Sequence, residues 1–187
     1  MFTRVKDIRK GDILFLISCS EIIRKEERDR YQYCFVIHAS DLPKGRGWSP
    51  HIWEILLGST ELTITLLEAD DPVDSGAIWS KLKVEVPKHC IVEEIDRIIF
   101  EAELALMDKA IDLVLVGHLG KTQEGTPTFY PKRSPSDNKV DIECSIESIF
   151  DLLRSADSNR YPVHFDHEGH TYELIIKKSL VNKQEVE

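Results

Sequence analysis

The residues best placed to do chemistry in this sequence are His38 and Asp74, an imidazole and a carboxylate that each lie just beyond an apolar run of strand type. Such a pair moves protons: the imidazole titrates near neutral pH, and the carboxylate orients it and balances its charge. His38 ends the run Cys34, Phe35, Val36, Ile37 and opens a turn-rich loop holding Pro43, Gly45 and Gly47. Asp74 lies at the far end of a second loop, residues 69–76, dense in acid, proline and glycine, that follows the apolar run from Leu62 to Leu67. Open α/β sheets bind ligands at strand ends of this kind.

The elements around the two loops have to bring them together. Trp48, Ser49 and Pro50 predict a helix start with Ser49 as the cap and Pro50 in the first helical position, and Gly58 predicts its stop. The helix is therefore short, and both loops can share one edge. Upstream, the strand from Asp12 to Ser18 is apolar on both faces, the pattern of a parallel sheet covered by helices on both sides. Downstream, residues 77–86 alternate as a strand that Pro87 closes. From about Lys88 to Val116, Ile91, Ile95, Ile98, Ile99, Ala102, Leu106, Ala110, Leu113 and Val114 recur at three- and four-residue steps until Gly117. This spacing predicts a long helix whose acids Glu93, Glu94, Glu101 and Glu103 form a solvated face. Residues 145–156 predict a helix capped by Ser145, and residues 161–166 with 170–177 a hairpin turning at Glu168 and Gly169. The hairpin carries His164, His167 and His170 beside Asp166 and Glu168, but strand alternation spreads the rings and His167 falls at the turn, so no metal is expected.

Composition limits the partners. The 187 residues suffice for a core in one domain, or one domain and a small appendage. A net charge of −9 disfavours nucleic acid, and from Gly120 onward nine Lys and Arg face twelve Asp and Glu, so the C-terminal part is not a basic RNA-gripping module. No apolar run is long enough to span a bilayer and no leader-like stretch opens the chain, which reads as a cytoplasmic protein without membrane contact. Cys19, Cys34, Cys90 and Cys144 form no CxxC pair and read as reduced thiols, with Cys19 the one that could face a ligand.

The run HASDLPKGRGWSPHIWEILLGSTELTITLLEADDPVDSGAI, residues 38–78, resembles the core of the formyltransferases that use 10-formyltetrahydrofolate, a family of methionyl-tRNA, glycinamide-ribonucleotide and nucleotide-sugar enzymes. His38, Ser40, Leu42, Pro43, Gly47, Pro50, Gly58, Asp74 and Gly76 match the family pattern. The resemblance implies a partial Rossmann-like α/β sheet lacking the first strands, an N-terminally truncated catalytic core over residues 1–118, and a C-terminal subdomain of helix and β-hairpin over residues 119–187. It implies catalytic roles for His38 and Asp74. It further implies that Ser20, Glu21 and Ile22, with Asp70, Asp71, Pro72 and Val73, hold the folate through main-chain groups. The family's Asn two residues before the His falls on Val36, which has no polar atom for a developing oxyanion; the Ser40 hydroxyl or loop N–H groups are the alternative donors. Missing neighbours would leave the strand at 12–18 as an exposed edge, so a homodimer, low solubility and a longer parent protein are all open readings.

The tail, in QEGTPTFYPKRSPSDNKVDI and LLRSADSNRYPVHF, is similar to the nucleotide-sugar members. That likeness makes Lys132, Arg133, Arg154 and Arg160, with Ser40 and Arg46 in the first loop, candidate contacts to a nucleotide-linked amino sugar, against a structural role in ion pairs with Asp137, Asp141 or Asp157. The implied reaction is attack of a substrate amine on the formyl carbon through a tetrahedral intermediate. A tRNA or other amine formyltransferase and a noncatalytic folate- or nucleotide-binding fragment are the alternatives.

Overall fold

The computed structural model describes residues 4–19 and 21–179. Ser20, expected to help hold the folate, lies outside the described residues. A turn of 3-10 helix at Val5–Asp7 leads into strand β1, Gly11–Ile17, and the short helix α1, Lys25–Arg28, precedes β2, Tyr31–His38. Then come β3, Arg46–Gly47, helix α2, Pro50–Leu56, and the strands β4, Glu61–Glu68, and β5, Ile78–Glu85. The long helix α3, Val92–Leu115, is followed by β6, Phe129–Tyr130, a 3-10 turn at Pro135–Asn138, helix α4, Ile146–Ser155, and a hairpin of β7, Val163–His167, and β8, His170–Leu174.

Four strands form one sheet in the order β1-β2-β4-β5, with β1 parallel to β2 and the two later pairs antiparallel. Among the described residues β1 is therefore an edge. Alternation along β2 sends Tyr33, Phe35 and Ile37 to one face, where they pack with Ile64, Leu66, Trp79 and the α3 residues Ile95, Ile99, Ala102, Leu106 and Ala110. Phe35 and Trp79 meet edge to face at 4.7 Å, and the indole N–H of Trp79 donates to Glu68 Oε1 at 2.7 Å. The opposite face is covered near β1 by Ile8, Leu14 and Ile23, with Leu16 and Cys34 beside them, and again beside β2, where Thr65 and Leu67 of β4 are fully buried. The two-sided helical cover expected from the apolar pattern of β1 is thus lopsided. Val36 and His38 point to this side, where Val36 is half-buried and His38 buried.

Most predicted elements are present, with ends that differ by a few residues. Helix α3 starts at Val92 and not near Lys88, because Pro87 and the turn at Lys88 and His89 intervene. Ser145 caps α4 as expected, its hydroxyl accepting from Ser148 N–H at 3.2 Å. Ser49 occupies the N-cap position of α2 but sits at φ 47°, and its side chain accepts no capping bond; its carbonyl instead receives Ile52 and Trp53 N–H. No helix is long and apolar enough to cross a membrane among the described residues, and there no group of three or more His, Cys, Asp or Glu could hold a metal ion.

Glu103 departs from the solvated face expected of it. It is 8% exposed, in line with Ala102 and Leu106, and none of the hydrogen bonds or ion pairs among the described residues involves it. Burial, then the charge of Asp96, pushes its carboxyl from 4.5 up to about 7. Between those two pH values the native state holds a proton that the unfolded chain has released, so the residue costs nothing below about pH 4.5 and its cost is complete above about pH 7. Glu103→Gln is expected to raise stability at pH 8 by about 2 kcal/mol, a value already discounted for solvent screening, and to change little at pH 4.5. Urea unfolding at the two pH values measures it; equal effects at both would refute the burial argument.

Candidate active site

β2 and β4 are antiparallel hydrogen-bonded neighbours, with Phe35 paired to Glu68 and His38 to Thr65, so the loops after them leave the sheet in opposite directions and the second doubles back to meet the first, not by sharing one edge as expected. Their meeting buries His38 and Asp74 to 8% and 7% exposure. The His38 Nε2 lies 2.9 Å from the carbonyl oxygen of Gly45 and must donate to it, which leaves Nδ1 as the basic nitrogen of the neutral ring. That nitrogen faces Asp74 Oδ1 at 3.7 Å, beyond hydrogen-bond length but well within ion-pair range. The other carboxylate oxygen, Oδ2, accepts the Gly47 N–H at 2.9 Å.

Backbone form explains how the pair is held. Asp74 sits at φ 61°, a left-handed turn conformation that Asp tolerates better than most residues. Gly76 lets this loop lie directly on β4, since a Cβ there would come 2.0 Å from the Glu68 carbonyl oxygen. Gly47, at φ 104°, lets β3 pair with β6, where a Cβ would sit 2.4 Å from the Tyr130 oxygen.

A strap from residues 121–133 closes over both loops. The Gln123 carboxamide donates to the carbonyls of Asp74 and Gly76, each at 2.9 Å, and accepts from Arg46 Nη2 at 2.6 Å. Thr128 Oγ1 accepts from Gly45 N–H at 2.8 Å, and the Thr128 carbonyl accepts from Arg46 N–H. Tyr130 stacks on Trp53 and donates to Glu54 Oε1 at 2.8 Å; burial and that carboxylate push its hydroxyl up to about 12. Gln123→Ala leaves two turn carbonyls without this donor, and is expected to cost about 1–3 kcal/mol. The loosened Asp74 turn is expected to lower kcat by about tenfold or more, read from steady-state rates beside urea melts. Wild-type values in both assays would remove the strap from the mechanism.

The residues expected to hold the folate fall into two exposed segments that the structure brings together. Arg28 Nη1 donates to the Ile23 carbonyl at 3.1 Å, and Arg28 Nη2 meets Asp71 Oδ2 at 2.5 Å, tying residues 21–23 to the loop of Asp70, Asp71, Pro72 and Val73. The Arg28 hydrogen bond holds the Asp71 carboxyl below its ordinary range. Ile22 and Val73 are exposed, and Glu21 accepts from Val5 N–H at 3.1 Å. Cys19 is exposed too, and desolvation raises its thiol, which disfavours the thiolate a nucleophile needs.

The substrate candidates separate. Ser40 is buried beside His38 with no hydrogen-bond partner for its hydroxyl, and Arg46 Nε is likewise buried without one. Lys132 lies over the Trp48 ring at 4.9 Å, and Arg133 over Trp53 at 5.6 Å, where it also donates to Asn138. Arg154 and Arg160 do not join them. Arg154 is fully buried, with Nε on Asp151 at 2.6 Å and Nη1 near the Cys90 carbonyl, and so offers a ligand nothing; Arg160 pairs with Asp157 at 3.8 Å. The structural ion-pair role is the one seen for Arg154, through Asp151 and not through the three acids weighed from the sequence.

Sequence reasoning missed Arg28, His51 and Gln123. Gln123 opens the tail segment already singled out, but a carboxamide in a loop carries no periodic signal. His51 follows Pro50 in the first turn of α2; burial first, then the charges of His38 and Arg133, pushes its imidazole down to about 4, so it is neutral at physiological pH.

Known proteins resemble this chain in sequence and in fold. The formyl transferase family pattern matches residues 3–111, which contain β1 to β5 and both site loops. The methionyl-tRNA formyltransferase of Clostridium beijerinckii is 27% identical over 190 residues, covering 98% of this chain and 61% of that protein. The chain thus spans about three fifths of the length of this curated relative. A sugar N-formyltransferase from Shewanella sp. FDAARGOS_354 superposes with a TM-score of 0.68 at 19% identity, covering 91% of this chain and 71% of that one. HypX from Aquifex aeolicus in complex with tetrahydrofolic acid gives a TM-score of 0.70 at 18% identity, covering 92% and 30%. With over half its length matched by the family pattern and His38 and Asp74 joined within that half, the chain belongs to the formyl transferase family.

Proposed function

We propose that this chain transfers a formyl group from 10-formyltetrahydrofolate to the amine of a nucleotide-linked amino sugar. The observation that carries the reading is the buried His38 and Asp74 pair, which the loop after β4 brings together in a chain of this family. The donor supplies a formyl carbon already bonded to a nitrogen leaving group. The two exposed segments that Arg28 ties together fit its pterin, since main-chain groups there recognise hydrogen-bonding edges whatever side chains they carry.

In this reaction the amine nitrogen bonds to the formyl carbon, the bond from that carbon to the folate nitrogen breaks, and the proton shed by the amine ends on the departing nitrogen. His38 handles that proton. With Nε2–H committed to Gly45, the proton arrives on Nδ1, where the Asp74 carboxylate stabilises the imidazolium it creates. The apolar wall of β2 and β4 at Val36 and Leu67 keeps this exchange out of bulk water.

The sugar half of the proposal is supported by the net charge of −9 and by Arg46, Lys132 and Arg133 in and around the strap. The Shewanella neighbour is a sugar N-formyltransferase. A second reading, transfer to methionyl-tRNA, is favoured by the relative from Clostridium beijerinckii. The deciding experiment incubates the full chain with formyl-labelled 10-formyltetrahydrofolate and, in parallel, nucleotide-linked 4-amino sugars and methionyl-tRNA. Label in a sugar supports the proposal, and label in tRNA alone moves the assignment to the second reading. A folded chain that binds tetrahydrofolate and labels neither is a binding protein.

A further inference from the structure

The transferred carbonyl oxygen becomes negatively charged in the tetrahedral intermediate, and a site for this reaction needs a hydrogen-bond donor that can reach it. The described groups near His38 narrow the choice. His38 itself donates to Gly45 and turns its other nitrogen to Asp74. The Asp74 carboxylate repels an oxyanion. Val36, on the same face of β2 as His38, has no polar atom. The Ser40 hydroxyl is sealed at 1% exposure, with its Cβ and Oγ beneath Gly45.

His51 is different. It stands in the first turn of α2, whose entry is fixed by Gly47 N–H on Asp74, by Trp48 N–H on the Tyr130 carbonyl and by Trp53 Nε1 on the Pro131 carbonyl at 3.1 Å. Arg133, stacked on Trp53, roofs the same turn. The ring is half-buried, so a ligand can reach it, and none of the hydrogen bonds among the described residues involves it. We propose that His51 donates a hydrogen bond to the formyl oxygen as it becomes an oxyanion, a role for which β2 offers only the apolar Val36. Its imidazole, held at about 4 by burial and by the neighbouring charges of His38 and Arg133, keeps one N–H and one lone pair throughout the neutral range. A donor that stays neutral while His38 carries the amine proton keeps the two tasks separate. This role rests on the formyl-transfer reading.

The test compares wild type, His51→Phe, His51→Leu and His51→Gln, with the amine substrate that wild type formylates. His51→Phe is expected to lower kcat about 10²–10³-fold. Both KM values and tetrahydrofolate affinity are expected to stay within about threefold of wild type. His51→Gln, whose carboxamide also donates, is expected to recover kcat to within about tenfold of wild type. If the phenylalanine variant does not fold, His51→Leu gives the same comparison. An apolar variant that keeps kcat within about threefold, or one that raises KM alone, would overturn the role. A glutamine variant no faster than the apolar ones would also overturn it. A wild-type chain that transfers no formyl group would instead overturn the formyl-transfer reading, and this role with it.

Discussion

His38→Ala is expected to lower kcat for formyl transfer by about 10³–10⁴-fold, because it removes the group that takes the amine proton and the stabilised charge that follows. The substitution also strips the Gly45 carbonyl of its donor and leaves space at a position now 8% exposed, so part of any loss could come from a loosened loop. His38→Gln separates the two effects. Its carboxamide can still donate toward Gly45, yet it cannot carry a proton between donor and acceptor. The expected result is a glutamine variant close to wild type in urea unfolding and within about tenfold of alanine in kcat. A glutamine variant with near wild-type turnover would mean that His38 positions the loop and does not move the proton.

Asp74→Asn should come next in size, at about 10²–10³-fold in kcat. Asparagine tolerates φ 61° nearly as well as aspartate, and its carbonyl oxygen can still accept from Gly47 N–H. Fold and loop are therefore kept. What changes is the atom 3.7 Å from His38 Nδ1, where a carboxylate that stabilises the protonated ring becomes a neutral amide. The NH₂ group can donate to Nδ1 and so block the lone pair that must receive the proton. Asp74→Ala is a poorer probe, since it adds about 1 kcal/mol or more of backbone strain and loses the bond to Gly47. Single-turnover rates with saturating donor read the asparagine effect directly, and a rate within about threefold of wild type would exclude Asp74 from the proton path.

Much of this site was legible in the residues, for identifiable reasons. His38 and Asp74 follow strands whose apolar runs are unmistakable, and Pro43, Gly45, Gly47 and Gly76 mark where the chain must turn or approach another backbone closely. Helix α3 declares itself through a sustained apolar stripe. Local pattern failed where geometry depends on distant partners. β3 and β6 are two residues each and pair across more than eighty positions, below the length at which alternation can be seen. Ser49 has the chemistry of a cap, but its left-handed backbone turns the side chain away from that task. Glu103 follows the acidic rhythm of α3 and is nonetheless buried, because burial is set by what packs on a helix face and not by the residue type that occupies it. Arg154 and Arg160, alike in sequence as cations, part company only when Arg154 is enclosed by α4 and the start of α3.

The strap has a consequence for the order in which the site is made. Gln123 and Thr128 bond to residues 47 to 83 positions earlier, so closing those loops costs chain entropy that local strands and turns do not. During synthesis the sheet that bears His38 and Asp74 can assemble as soon as β5 and α3 have emerged. The Asp74 turn and the Gly45 loop gain their last hydrogen bonds only after residue 128 is available. The nascent chain thus passes through a stage in which the chemistry-bearing residues are in place and the locks on their loops are missing. Maturation of the site follows the assembly of its sheet, and is set by a carboxamide and a hydroxyl that lie beyond the stretch matched by the family pattern.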